Sequence, residues 1–138
     1  MELLDTSFLI GYALMNDEHH SLASKLARDI ESGMYGDPIL SDTVFDEAVT
    51  VFERKNKKRE IAITFGRQIL SSFQIEHIDE QIFRQAWALF CEQKLSSLSF
   101  TDCTILALMR EKHISHLATF DKGFLGVEGI NVVGARKR

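Results

Sequence analysis

Four carboxylates stand out among the twenty acids of this chain, because solvation alone does not explain where they fall. Asp5 directly follows the apolar pair Leu3-Leu4, which reads as a short strand. In open α/β sheets ligands bind outside the carboxyl ends of the strands, so an acid there points into the crevice. It is equally placed to cap the helix that follows. Glu47 sits in a segment whose apolar stripe is Val44, Ala48, Val51 and Phe52 at ~100° per residue. Glu47 falls at the edge of that stripe, whereas Asp46 falls on the opposite, solvated face with Glu53. The helix macrodipole also favours an acid in the first turns. Asp102 lies on an apolar stripe itself, with Ile105, Leu106 and Met109 three, four and seven residues on. Ser99-Phe100-Thr101-Asp102 also has capping-box spacing, and both roles put the carboxylate at a helix start. Asp121 follows Thr119-Phe120 and, taken alone, reads as a turn residue.

Taken together the four acids suggest chemistry. Each lies just past an expected strand or at a helix start, and in a parallel sheet those ends share one edge. Carboxylates converging there repel one another and resist desolvation unless a cation neutralises them. Oxygen-only ligands select hard ions, Mg²⁺ or Mn²⁺. Such ions hold phosphate substrates and activate water for in-line attack. The charge balance agrees. The chain has 16 Lys and Arg against 20 Asp and Glu, a net charge of −4. Without these four acids it is neutral. A chain this acidic does not bind nucleic acid by bulk charge.

The elements that must position these residues alternate. Strands are expected at Leu3-Leu4, at 38–40, 74–78, 115–119 and 130–133. Helices are expected over 7–15, 21–30, 44–52, 61–73, 82–90 and 104–109. In the fourth, Ile61, Phe65, Ile69 and Leu70 share one side, and the last two are amphipathic. Strand–helix alternation is the pattern of a parallel α/β sheet with helical crossovers and helices on both faces. The 138 residues make one domain with one core. Apolar residues at 45% and charged residues at 26% exclude disorder and low complexity. No apolar run reaches the ~20 residues of a membrane span, and Met1-Glu2-Leu3-Leu4-Asp5 lacks the basic start of a signal peptide. A cytoplasmic protein is expected. Cys91 and Cys103 match no zinc or disulfide spacing and read as buried free thiols.

At these residues the chain resembles the PIN-domain family over nearly its whole length. The motifs are Leu3-Leu4-Asp5-Thr6-Ser7, then Leu40-Ser41-Asp42 through Asp46-Glu47. Leu98-Ser99-Phe100-Thr101-Asp102-Cys103 and Leu117-Ala118-Thr119-Phe120-Asp121-Lys122 complete the set. The resemblance implies a three-layer α/β/α sandwich around a central parallel five-stranded sheet. It also implies a Mg²⁺- or Mn²⁺-dependent endoribonuclease acting on RNA, a homodimer and, at this size, a toxin paired with an antitoxin protein (VapC-type). The family's acids carry over onto Asp5, Glu47, Asp102 and Asp121, and its polar residues near the metal onto Thr6 and Thr119.

Other features have ordinary explanations. Asp42, beside Ser41, reads as a helix cap. Arg54-Lys55-Asn56-Lys57-Lys58-Arg59 reads first as a solvated helix end, with an RNA-backbone contact as the alternative. Arg136-Lys137-Arg138 reads as a frayed terminus. Adjacent His19 and His20 face different directions on a helix, against joint chelation. Phe83, Trp87 and Phe90, at helical spacing, read as core or dimer surface. Two further functions compete with the nuclease. One is a PIN-fold scaffold, which has no reason to hold four acids together. The other is a different acid-site α/β protein. A haloacid-dehalogenase-type phosphatase needs a second Asp two residues after the first, where this chain has Ser7. A receiver domain needs an acid pair before its phosphoacceptor, and none precedes Asp5.

Overall fold

The computed structural model describes residues 1–92 and 97–136. Lys137 and Arg138 of the basic tail lie outside the described residues. Five strands form one sheet: β1 (Glu2–Leu4), β2 (Pro38–Ser41), β3 (Gln74–Glu76), β4 (His116–Thr119) and β5 (Asn131–Gly134). Their order is β3-β2-β1-β4-β5, and every pairing is parallel. Among the described residues six helices connect them in pairs: α1 (Thr6–Ala13) with α2 (His20–Glu31), α3 (Asp42–Asn56) with α4 (Arg59–Ser72), and α5 (Glu80–Cys91) with α6 (Phe100–Lys112). The parallel α/β architecture expected from the sequence is therefore present. One crossover differs. Between β4 and β5 the chain makes only a 3₁₀ turn, Lys122–Phe124, rather than a helix.

The strand order puts a topological switch beside β1. The chain first builds outward through β2 and β3, then returns past β1 to β4 and β5. Crevices form at such points, outside the carboxyl ends of the strands. Register makes this specific: Leu4 pairs with Ala118, and the Asp5 N–H donates to the Ala118 carbonyl at 3.0 Å. Residues following β1 and β4 are thus side by side.

Burial explains the elements. Leu3, Leu4, Ile39, Leu40, Leu117 and Ala118 are all at most 2% exposed, as for strands covered on both faces. Residues Asp102 to Met109 of α6 are all buried, so this helix runs through the core and is not amphipathic. On α4 the buried set is Ala62, Phe65, Gly66 and Ile69. Ile61 and Leu70, expected on that face, are 39% and 54% exposed. Cys103 is buried, but Cys91 is exposed at the end of α5. Gly134 lets β5 close on β4. Its φ is +120°, and a Cβ there would lie 2.5 Å from the Thr119 carbonyl oxygen.

Glu2 is the exception in this core. It sits in the central strand, fully buried, and neither carboxyl oxygen has a hydrogen-bond partner. Burial raises its pKa from 4.5 to about 7, against the pull of the Met1 amine. The folded state therefore prefers Glu2 protonated. Its full contribution is present below pH 4.5 and is lost as pH rises through about 7, on the order of 3 kcal/mol. We expect Glu2→Gln to remove that loss. Chemical denaturation between pH 5 and pH 8 checks this. Equal pH slopes for the two proteins would show that Glu2 is not the group responsible.

Candidate active site

Each acid is held by the local structure its own sequence dictates. Asp5 ends β1 and caps α1, accepting from the Thr6 N–H at 2.7 Å. Its other oxygen accepts from the Thr119 hydroxyl at 2.6 Å and from the Ser7 hydroxyl at 3.2 Å. Ser7 and Thr119 lie 3.1 Å apart. Their own lone pairs take the N–H groups of Phe120 and Asp121, at 2.9 and 3.0 Å. Two hydroxyls thus lace the turn after β4 to the carboxylate after β1. Asp5 is 3% exposed.

Asp102 begins α6 in a complete capping box. Its carboxylate accepts from the Ser99 N–H at 2.9 Å while the Ser99 hydroxyl accepts from the Asp102 N–H at 3.1 Å. This fixes the carboxyl rotamer and leaves it 8% exposed. Glu47 is half-buried on α3, and Asp46 is exposed, as the helical phase requires. Asp121 is exposed and accepts from the Gly123 N–H at 2.8 Å, so it is a turn residue as well as a candidate ligand. Asp42 faces elsewhere: Ser41 is the cap of α3, and Asp42 accepts from the Ile78 N–H at 3.1 Å beyond β3.

Electrostatics ties the four acids together. Burial pushes the Asp5 pKa up to about 6. The Thr119 and Thr6 hydrogen bonds oppose that rise, and Asp102 and Glu47 add to it. Asp102 is raised by burial against its Ser99 bonds, with Asp121 and Glu47 adding. The site is thus a set of carboxylates that share one field and resist joint ionisation.

A divalent cation relieves that conflict, and the residues suit one. All candidate donors are oxygens. The Thr6 hydroxyl, beside Asp5, is buried with no partner. Among the described residues no three acid, imidazole or thiol groups stand close enough to hold one ion between them. An ion held here would therefore take one or two carboxylates directly and keep several waters, as Mg²⁺ can. His19 and His20 are occupied otherwise. His19 stacks on Phe120 at 4.6 Å, and His20 meets the Gly11 carbonyl at 2.9 Å.

Three supporting groups were not evident in the sequence. Ser7 belongs to the first motif, but nothing in its spacing announces the contact with Thr119. A second hydroxyl chain runs Ser41–Thr43–Thr104, each step 2.8 Å, and joins α3 to α6. Contacts 61 or more residues apart leave no local trace.

Residues 3–130 match the sequence model of the PIN domain family. The 23S rRNA-specific endonuclease VapC20 of Mycobacterium tuberculosis is 26% identical over 124 residues, covering 90% of this chain and 92% of that protein. Its crystal structure, a sarcin-ricin-loop-cleaving toxin, superposes with a TM-score of 0.82 at 23% identity, covering 94% and 97% of the two chains. A toxin–antitoxin complex from Klebsiella pneumoniae matches at TM-score 0.67 and 24% identity, over 96% of each chain. At these identities the structural matches speak to the fold.

The Asp5 geometry makes a prediction. Without metal, stability is lost as pH rises from 3.8 through about 6, where Asp5 must ionise in the folded state. Asp5→Asn escapes that loss, although the new amide has one acceptor oxygen and cannot accept from both the Thr6 N–H and the Thr119 hydroxyl. We expect its metal-free melting temperature at pH 8 to be no lower than wild type. Mn²⁺ at 100 times its Kd should stabilise wild type by about 2.7 kcal/mol and the variant far less. A variant that melts lower and still responds fully to Mn²⁺ would remove Asp5 from the ion-holding set.

Proposed function

The chain belongs to the PIN domain family, and on that premise we propose that it is a Mg²⁺- or Mn²⁺-dependent endoribonuclease, the toxin of a toxin–antitoxin pair. The observation that carries the reading is Asp5: a buried carboxylate at the topological switch, with its ionised form opposed by burial and by two neighbouring acids. Such a site is stable in its anionic form when a cation joins it.

Asp5, Glu47 and Asp102 would share the ion, one or two of them directly and the remainder through its waters, and Asp121 would stand at the margin, orienting water or a second ion. When bound, the ion supplies charge neutralisation at the scissile phosphate and an activated water. The protein's own part is positioning. Ser7 and Thr119 fix the Asp5 rotamer from two sides, and the capping box fixes Asp102. The chain needs no covalent nucleophile for phosphodiester hydrolysis. The substrate is RNA, and its cleavage belongs in the cytoplasm. A scaffold role alone gives no reason to bring repelling acids together.

Two surfaces fit the protein partners. An open groove of about 1020 Å³ runs between α1, α2 and α4, lined by Phe8, Tyr12, Ile30, Phe52, Ile61 and Phe65 among others. Tyr12 and Ile61 leave apolar surface there, 50% and 39% exposed, which suits an amphipathic antitoxin segment. Phe83, Trp87 and Phe90 on α5 are each about half exposed and pack around Phe100 at 5.4 to 6.4 Å. This aromatic face suits a homodimer.

The test is cleavage of an RNA hairpin reproducing the sarcin-ricin loop, with Mg²⁺, Mn²⁺ or EDTA. We expect cleavage with either ion and none in EDTA. Asp5→Asn, Glu47→Gln and Asp102→Asn should each abolish it while remaining folded. Asp46→Asn, on the exposed face, should keep near-full activity. Asp121→Asn should fall by roughly 10–100-fold, as for groups acting on a metal through an intermediary. Full activity in any of the first three removes that residue from the site.

A further inference from the structure

The turn between α3 and α4 makes three consecutive choices that weaken the fold, and all three add positive charge. Lys57 closes α3 at φ +58°, in the left-handed region where Gly or Asn is favoured. Lys58 takes the N-cap of α4 and makes no side-chain hydrogen bond to the helix. By contrast, α1, α3, α5 and α6 begin at Asp5, Ser41, Asp79 and Ser99, each accepting a backbone N–H, and α2, at His19, shares the missing cap without adding a lysine or arginine. Arg59 is the first residue of α4, at the helix end where the dipole disfavours cations. The macrodipole explains Arg54 and Lys55, in the last turn of α3, but not these three.

Charge on this turn is also unbalanced. Arg59 pairs with Glu53. Arg54, Lys55, Lys57 and Lys58 are exposed and join no ion pair among the described residues. Five of the chain's 16 cations therefore occupy six consecutive positions in a protein of net charge −4. The turn is rigidly linked to the acids. Helix α3 carries Glu47 and, about 15 Å further along its axis, Lys57. Phe52 stacks on Phe65 at 4.1 Å, and α4 packs at Gly66 against Phe45 and Val49 of α3.

We infer that this turn, Arg54 to Lys58, holds the phosphate backbone of single-stranded RNA at a point about 15 Å along α3 from Glu47. The inference rests on the ribonuclease reading and extends it to how substrate is held. Local rules broken in one direction mark function. A polyanion is the partner for clustered, solvated cations, and each phosphate neutralised releases counterions.

The experiment measures binding of a labelled single-stranded RNA oligonucleotide at several KCl concentrations, without divalent metal so that the RNA stays intact. Lys57→Gly/Lys58→Ser repairs the C-cap and the N-cap and should melt higher, by roughly 2–8 °C. It should nevertheless bind RNA more weakly, with a salt slope flatter by about 1.4. Lys57→Arg/Lys58→Arg should keep the wild-type slope. Lys57→Gln/Lys58→Gln, which leaves the turn residues long and polar, should repeat the flattening. An unchanged slope in both neutral variants assigns the cations to solvent or to an acidic protein and overturns the inference. A flattened slope in the Arg variant does the same, because charge is then not the cause. Parallel cleavage with Mn²⁺ separates the two readings. Wild type that cuts RNA while the neutral variants keep its slope overturns this inference alone. Wild type that cuts no RNA overturns both.

Discussion

Mutual repulsion among carboxylates constrains everything at the top of this sheet. Asp5 is nearly inaccessible to water, and Asp102, Glu47 and Asp121 all lie within its field or that of its neighbour. A fold holds such groups together only by fixing each one through contacts stronger than the repulsion. Here those contacts are hydroxyls and cap N–H groups. The Thr119 and Ser7 hydroxyls grip one oxygen of Asp5, and the Ser99 box grips Asp102. Strand order then follows as a requirement. Only a switch at β1 lets the turn after β4 reach the carboxylate after β1.

The same strand shows two ways of burying an acid. Glu2 and Asp5 lie three residues apart, at opposite ends of β1. Asp5 has three donors within hydrogen-bond reach, and Glu2 has none. Both prefer protonation, but for Asp5 the preference is part of a site and a cation can reverse it. Around Glu2 only the pull of the Met1 amine favours the anion, and burial outweighs it. Buried polar groups cost most when unpaired, so Glu2 is where this core is least settled.

Much of this was legible in the sequence because it is local. Apolar runs and cap residues marked the elements. The helical wheel separated Glu47 from Asp46, and the Ser99-to-Asp102 spacing announced its box. What was not legible depends on long-range contact. The Ser7–Thr119 and Thr43–Thr104 hydroxyl pairs join segments 112 and 61 residues apart. Helix α6 was expected to be amphipathic, but the sheet and its neighbours cover it all round. Ile61 and Leu70 obeyed the period of α4 without being buried, because periodicity fixes a face but not what covers it. Cys91 was expected inside on composition alone and lies outside at a helix end. The last crossover carried no helical pattern, and the structure supplies only a 3₁₀ turn there.

Charge placement joins the two unusual regions. On the ribonuclease reading, a site built of acids would repel the phosphates of its substrate, and a chain of net charge −4 would add to that repulsion at long range. A divalent ion reverses the sign only within its own neighbourhood, since exposed charges are screened beyond ~10 Å at 0.1 M salt. Attraction over the remaining distance needs cations placed outside that radius yet rigidly joined to the acids. Helix α3 meets both conditions, with Glu47 near one end and the Lys57–Lys58 turn about 15 Å away. The acids and the lysines each oppose local stability, and they do so with opposite signs at the two ends of one rod. On the proposed function that arrangement is intelligible as the division of one task, in which one end would hold the ion and the other the strand.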